Sequence, residues 1–411
     1  MKALLADANF RRVWLVGAIA GALRWLELLA IGVYVLEQTG SPSMVAFITA
    51  LRLAPMFLCG SLIGALGDRY ERSRVLLIGL AIVSATSIVL GALAFTEQIT
   101  LWQVALGTIV SGAFLAGDMT LRRIMSAEIA GIGRLGQAMA LDSVNNHATR
   151  MLGPALGGLL LQTLGLFGVY LLGALLYLLG IVLILRTRYR AKGPGSESGA
   201  ILTALRAGWR YVRARRLIVG VLVVTLVANF WGFAYITMVP VIGEQVLGLS
   251  AFPIGLILSV QGFGALVGAL VIGKASAPRT YTQLYLACTT VFLLGVLGFG
   301  LSVWFELSLL LNLICGVSIG GFSVLQSSIL ILAARPEVRS RVMGLLAVAI
   351  GAGQLGGMLH VGLLADWLGA AAAVQLMAIE GLIALAVTVL LWPEMRRATD
   401  LASGAADADD K

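Results

Sequence analysis

A small set of ionisable residues sits inside long apolar stretches of this 411-residue chain, and these are the positions at which the sequence can do chemistry. Arg24 and Glu27 stand three apart, on one face of a helix, and can pair. Arg52 lies in the next apolar stretch. Asp118 and Arg122 are spaced i,i+4 with the acid first, the better order for a helical ion pair. Asp142, Asn146 and Arg150 form one stripe, with Asp142 near a helix end. A charge at mid-bilayer depth costs about 2.5–3.5 kcal/mol on insertion scales, so each needs a partner or a task. Burial raises a carboxylate's affinity for protons and a neighbouring arginine lowers it, so a carboxylate that trades its arginine for a proton can couple protonation to a change of shape. Glu27, Asp118 and Asp142 are therefore the expected proton-coupling acids, with Arg24 and Arg122 as partners. Permanent ion pairs that only order a bundle are the rival reading. Arg24, Arg52 and Arg150 also fit a basic cavity for an anionic substrate, and residue types leave that alternative open.

The second half of the chain differs. It has only Glu380 at comparable depth, which reads as a peripheral residue, and otherwise offers Asn229, Gln261, Asn312, Gln326, Gln354 and His360. Charge handling is therefore expected in the first half and neutral hydrogen bonding in the second. Trp25 and Trp231 lie at similar depth in the two halves, while most other tryptophans fall at span ends, where an interfacial belt belongs. Trp25, Tyr34, Arg52, Arg150, Trp231, Tyr235, Gln261, Gln326 and Gln354 are the expected substrate contacts. His147 and His360 form no metal or nucleophile constellation, and Cys59, Cys288 and Cys315 sit in apolar runs as packed thiols. No GxxxxGK[ST] loop is present. Neither an enzyme nor a bound metal or cofactor is expected.

The elements that must position these residues follow from composition. The chain is 59% hydrophobic and 12% charged, against about 25% charged in soluble domains. About 20 apolar residues cross a bilayer as a helix. Such spans are predicted at 13–36, 44–66, 73–95, 100–124, 138–162, 166–186, 217–243, 251–273, 281–303, 306–333, 341–364 and 370–392: an all-α membrane protein of twelve transmembrane helices in two pseudo-symmetric six-helix bundles. Lys2, Arg11 and Arg12 lead into a first span of full length, which is expected to be retained. Of the 29 basic residues, all but Arg24, Arg52 and Arg150 fall on alternate connections or at their helix ends. By the positive-inside rule these connections and both termini are cytoplasmic. The net charge of +9 is thus topology and not a nucleic-acid footprint. The expected domains are a first bundle at 1–190, a cytoplasmic linker at 191–216 with a short amphipathic helix, a second bundle at 217–397 and a disordered tail at 398–411.

Several motifs carry a family resemblance. The loop after the second span reads Gly64-Ala-Leu-Gly-Asp68-Arg69-Tyr-Glu71-Arg72-Ser-Arg74, and the fifth span carries Arg150-Met-Leu-Gly153-Pro154-Ala-Leu-Gly157-Gly158. The first resembles the signature between helices 2 and 3 of the major facilitator superfamily, departing from it at Glu71 and Ser73. The second resembles the antiporter motif of exporting branches, where small residues allow tight packing and the proline kinks the helix. With Arg134-Leu-Gly-Gln-Ala138, Gly208-Trp-Arg-Tyr-Val212 and Arg341-Val-Met-Gly344, nearly the whole chain resembles the branch of enterobactin exporters and macrolide efflux pumps. The resemblance implies an inner gate of Gly64, Asp68, Arg69 and Arg72, with Asp68 and Arg72 bracing the start of helix 11, and a helix-5 element of Gly153, Pro154, Gly157 and Gly158.

The expectation is a proton-coupled exporter of a siderophore or drug-like amphiphile, working as a monomer in the lipid bilayer of a bacterial inner membrane. Its partners are protons and a small-molecule substrate. A lipid or lysolipid flippase and an importer on the same scaffold remain as alternatives.

Overall fold

The structure, a computed structural model, describes residues 2–55, 69–189, 211–335 and 338–396. After a short turn at Lys2–Ala6, helix α1 runs Ala8–Thr39. The Asp7 carboxylate starts it by accepting from the backbone N–H groups of Asn9 (2.8 Å) and Phe10 (3.2 Å), filling two donors that a helix start leaves open. Gly40 ends it in left-handed backbone, φ 62°, a conformation glycine adopts without strain. Helix α2, Pro42–Leu51, begins on the Ser41 hydroxyl. The rest of the predicted second span, with Gly64 and Asp68, lies outside the described residues.

Helix α3 is Arg72–Phe95 and α4 is Leu101–Ala130. The next run, Leu135–Leu185, is broken at Gly165 (φ 64°, ψ −164°) into 135–164 (α5) and 166–185 (α6). The second half supplies α7 (Arg216–Gln245), α8 (Ala251–Ala275), α9 (Tyr281–Leu301), α10 (Phe305–Ala333), α11 (Arg339–Leu368) and α12 (Ala370–Leu391). Ten runs among the described residues are long and apolar enough to cross a membrane. The run broken at Gly165 provides two spans and α2 opens one more, so the helices follow the twelve predicted spans in order. One boundary differs with consequence. Helix α4 continues past the predicted end at 124 to Ala130, which places Arg122 and Arg123 well inside it and brings Glu128 onto the same helix. Most of the predicted linker, residues 190–210, and the tail from 397 lie outside the described residues.

The helices pack as two compact units, Met1–Glu197 with Gly243–Ser259, and Ser198–Ile242 with Val260–Lys411. Within the first, Val13, Val16, Leu23, Leu80, Val83, Phe114 and Tyr177 form an apolar core. Helices in lipid gain little from hydrophobic burial against one another, so close packing of small residues must hold them. Helix α5 shows this on two sides. A Cβ on Gly157 would stand 2.6 Å from the carbonyl oxygen of Leu26 on α1, and one on Gly255 would stand 2.5 Å from the carbonyl oxygen of Pro154. In the second unit Gly264 and Gly268 of α8 interlock with Gly316 and Gly320 of α10, backbone against backbone.

Helix α7 is irregular at its middle. Regular helix ends at Val227, a π turn spans Ala228–Gly232, and a 3₁₀ stretch spans Phe233–Met238. Three local causes coincide there. The Asn229 side chain donates to the Thr225 carbonyl at 2.8 Å, competing for a helical acceptor. Gly232 weakens the helix and Pro240 has no N–H to offer the preceding turn.

The α1–α5 approach generates a paired prediction. Gly157→Ala must displace backbone, so thermal unfolding of the detergent-solubilised protein, read by size exclusion after heating, is expected to show a loss of about 1–3 kcal/mol. Gly136→Ala meets no atom within 4 Å and is expected to be neutral or stabilising by up to about 1 kcal/mol. Equal melting temperatures for the two variants would refute the close-packing account.

Candidate functional site

The first unit holds two buried charge clusters and one aromatic–arginine cluster. In the first, the Glu27 carboxylate of α1 accepts from the Arg52 guanidinium, just past the end of α2, and from the Ser111 hydroxyl of α4 at 2.9 Å. Arg52 also donates to the Arg24 carbonyl at 2.8 Å. Glu27, Arg52 and Ser111 are all buried. Gly112 makes the geometry possible, because a Cβ there would overlap the Arg52 carbonyl. The i,i+3 pair expected between Arg24 and Glu27 is not formed. Glu27 turns to Arg52, and Arg24 donates instead to Asn146 Oδ1 at 2.8 Å.

In the second cluster, Arg122 Nε donates to both oxygens of Asp118 (3.2 and 3.1 Å) and its Nη1 to Asp142 at 2.6 Å. Arg123 Nε holds the other Asp142 oxygen at 2.9 Å. The expected i,i+4 pair is present, and Asp142 joins it from α5. Arg122 reaches Asp142 by lying across α1, where its Cζ would stand 2.5 Å from a Cβ on Gly17. A small cavity beside the cluster is lined by Gly21, Arg24, Asp118, Arg122, Asn146 and Thr149 among others. In the third cluster, the guanidinium carbons of Arg24 and Arg150 each lie 5.0 Å from the Trp25 ring centre. Gly153 lets Trp25 sit there, its Cβ only 2.7 Å from where a Gly153 Cβ would be. The Asp142–Asn146–Arg150 stripe thus presents each residue to a different partner on α1 or α4.

The remaining expected substrate contacts are scattered. Tyr34 is nine residues beyond Trp25, about 13 Å along the helix, and its hydroxyl lies 3.5 Å from the Ile99 carbonyl in the α3–α4 connection. In the second unit Tyr235 donates to Asn312 Oδ1 at 2.8 Å and accepts from Gln261. Its ring packs on Phe292 and Phe299, so Tyr235 and Gln261 are interior residues. Gln326 is buried on α10, and Gln354 donates to Asn229 at 3.1 Å. Trp231 differs from Trp25: its indole N–H donates to Glu380 on α12 at 2.9 Å, and His360 Nε2 of α11 stands 3.2 Å from the same oxygen. Glu380 is therefore the centre of a three-helix polar contact, not an isolated peripheral charge.

Among the motif residues, Gly64 and Asp68 lie outside the described residues, and Arg69 stands 5.8 Å over the Tyr70 ring. Arg72 is buried and pairs with Glu128 at 2.5 Å, while also donating to the Tyr189 hydroxyl at 3.0 Å. Burial, then the hydrogen bond with Glu128, pushes the Tyr189 phenol up to about 12, so it stays protonated and donates to Glu128. At the helix-5 motif, the Ala155 N–H beside Pro154 donates to Ser259 Oγ at 3.0 Å, and Gly158 lies against the Ala251 backbone. Ser111, Arg123, Glu128, Tyr189 and Ser259 escaped sequence reading. Only Ser111 had a signal, since it lies seven residues before Asp118 on the same helix face.

The pair Glu27–Arg52 generates a prediction. Removing one member of a buried ion pair leaves an uncompensated charge, a loss of roughly 3–5 kcal/mol. Arg52→Met is therefore expected to lower the unfolding temperature sharply, and Glu27→Leu added to it to recover most of the loss. A double variant no more stable than the single one would contradict a direct pairing.

Comparison with known proteins places the chain in a family. Residues 2–407 match the major facilitator family described as transmembrane secretion effectors. The enterobactin exporter EntS of Shigella flexneri is 26% identical over 358 residues, covering 85% of this chain and 84% of that one. The staphyloferrin A transporter of Staphylococcus aureus is 22% identical over 301 residues, 73% and 74% of the two chains. Among solved structures, a bacterial homologue of the lysosomal transporter Spinster superposes with a TM-score of 0.71 at 13% identity, over 95% of this chain and 96% of that one. A D-xylose–proton symporter gives 0.69 at 16% identity, over 93% and 97%. The helices, their order and the whole-length match agree: the chain belongs to the transmembrane secretion effector family of the major facilitator superfamily of membrane transporters.

Proposed function

We propose that this transporter exports an amphiphilic small molecule, a siderophore or drug-like compound, in exchange for protons. The observation that carries the reading is Glu27, a mid-span carboxylate held by donors from two other elements, Arg52 and Ser111. A proton on Glu27 removes the charge that holds Arg52, freeing α1, the end of α2 and α4 to adopt a second arrangement. Loss of the proton restores the pair. Asp118 and Asp142, joined through Arg122, form a second acid pair through which the same exchange can pass. Relatives named for enterobactin and staphyloferrin A support the siderophore class.

The energetics suffice. One proton moving down 100 mV releases about 2.3 kcal/mol, enough for a roughly fifty-fold substrate gradient. In this reading the chain works as a monomer in a bacterial inner membrane, with both termini cytoplasmic as its basic residues favour. The bundles at 1–190 and 217–397 move about the linker at 191–216. Gly64, Asp68, Arg69 and Arg72 serve the inner gate, and the Gly153–Gly158 segment is a packing face that re-forms in each cycle.

Everted membrane vesicles energised by respiration test the proposal. Enterobactin, staphyloferrin A and ethidium are added while a pH-sensitive dye reports internal acidity. At least one compound is expected to dissipate the gradient, and Glu27→Gln is expected to abolish that response in protein of normal abundance. Labelled substrate crossing with no proton movement would overturn the coupling. No response and no crossing for any of the three would overturn the cargo class.

A further inference from the structure

We infer that Arg24, Trp25 and Arg150 form a recognition subsite for the negatively charged group of an organic anion, which narrows the cargo from amphiphiles in general to anionic ones. The inference rests on the export reading above for its role in transport, and on charge and geometry for its chemistry.

Charge balance comes first. Among the described residues of the clusters around Arg24, the carboxylates are Glu27, Asp118 and Asp142. The acids are committed: Glu27 to Arg52, Asp118 to Arg122, and Asp142 to Arg122 and Arg123. Arg24 makes no ion pair among the described residues, and its side-chain contacts are a neutral amide and an indole. Asp118 lines the same cavity as Arg24, but both of its oxygens already accept from Arg122. The Arg24 charge therefore stands beside Trp25 with no ion pair among the described residues, inside a membrane span where that is costly.

Donor inventory points the same way. The Arg24 Nε–H and the Trp25 Nε1–H are buried and have no acceptor among the described residues. Arginine and tryptophan offer donors only, so the group that completes this site must accept. A planar oxyanion such as a carboxylate matches the guanidinium fork, which a neutral or cationic cargo does not. The indole and the neighbouring apolar faces of α1 supply a surface for the rest of an amphiphile. Access fits as well. Arg24 and Trp25 are half-buried while Glu27, three residues on, is buried, so the subsite is the more open of the two. Cargo anion and coupling proton are then read by consecutive turns of one helix.

Binding without any gradient tests this separately from proton coupling. The full-length protein in phosphatidylcholine nanodiscs is titrated with dansylglycine, an amphiphilic carboxylate, and with dansylglycinamide, its neutral analogue, following dansyl fluorescence. Wild type is expected to bind the acid about tenfold or more tightly than the amide, the scale of one charge-assisted hydrogen bond. Arg24→Gln is expected to erase that preference by bringing acid binding down to the level of the amide, with a size-exclusion profile matching wild type certifying its fold, and Arg24→Lys to keep part of it. Equal binding of acid and amide by wild type, or a preference that survives Arg24→Gln, would overturn the proposal. Repeating the titration in phosphatidylglycerol nanodiscs identifies the source of the anion. Displacement of dansylglycine by that lipid assigns the subsite to an anionic headgroup, and unchanged binding assigns it to a free organic anion. Proton exchange that persists without an anion preference would leave the export reading standing and remove only this one; an anion preference without proton exchange would do the reverse.

Discussion

Hydrocarbon cannot solvate a charge, so an ionic group placed in a membrane span must be answered by a partner within the protein or by a ligand. Much else in the first unit follows from that requirement. Glu27 is answered by Arg52 and Ser111 and Asp142 by Arg122, each across from another element, while Asp118 is answered by Arg122 one turn along its own helix. Long side chains reach that far only where the intervening backbone carries no side chain of its own. Gly17 beneath Arg122 and Gly112 beside Arg52 provide those openings. Glycines and ion pairs are thus one device: the glycines set the helix separation, and the separation sets which charges can meet.

The two units apply the same packing rule to different ends. In both, helices approach through glycine faces, as α8 and α10 do through Gly264, Gly268, Gly316 and Gly320. The first unit fills its interior with ion pairs, the second with neutral networks such as Tyr235–Gln261–Asn312 and Asn229–Gln354. An ion pair changes character when a proton arrives, whereas an amide network does not. Buried arginine–carboxylate pairs of this kind are described in the first unit, while the second sets Glu380 beside His360. The irregular middle of α7 gives the second unit a segment whose hydrogen bonding is already released from the regular helical pattern, the kind of place where a helix bends at low cost.

Glu380 shows how context redefines a residue. Taken alone it is a costly charge in a terminal span. With Trp231 donating to it and His360 alongside, it ties α7, α11 and α12 together at one oxygen. Arg72 changes in the same way. Its buried position beside Glu128 and Tyr189 anchors the α3 start to the end of α4 and to the chain leaving α6.

The sequence by itself determined the solvent, the helical class, the order and approximate limits of the spans, and the family resemblance, because each depends on local composition or short motifs. Twenty apolar residues in a row need no partner to be recognised, and the Asp118–Arg122 pair follows from helix geometry alone. What only the tertiary structure decided is which groups meet across helices. Arg24 is the nearest base to Glu27 along the chain, yet Arg52, twenty-five residues away, takes the carboxylate. Arg24 is left to Asn146 and Trp25. Tyr34 and Tyr235 are expected beside Trp25 and Trp231 as substrate contacts, but residue type does not specify direction, and packing turns one toward the α3–α4 connection and the other into the interior. Helix rotation and separation arise from side-chain volumes summed over whole interfaces, so a pattern local to one helix carries its own face but not the face it will meet.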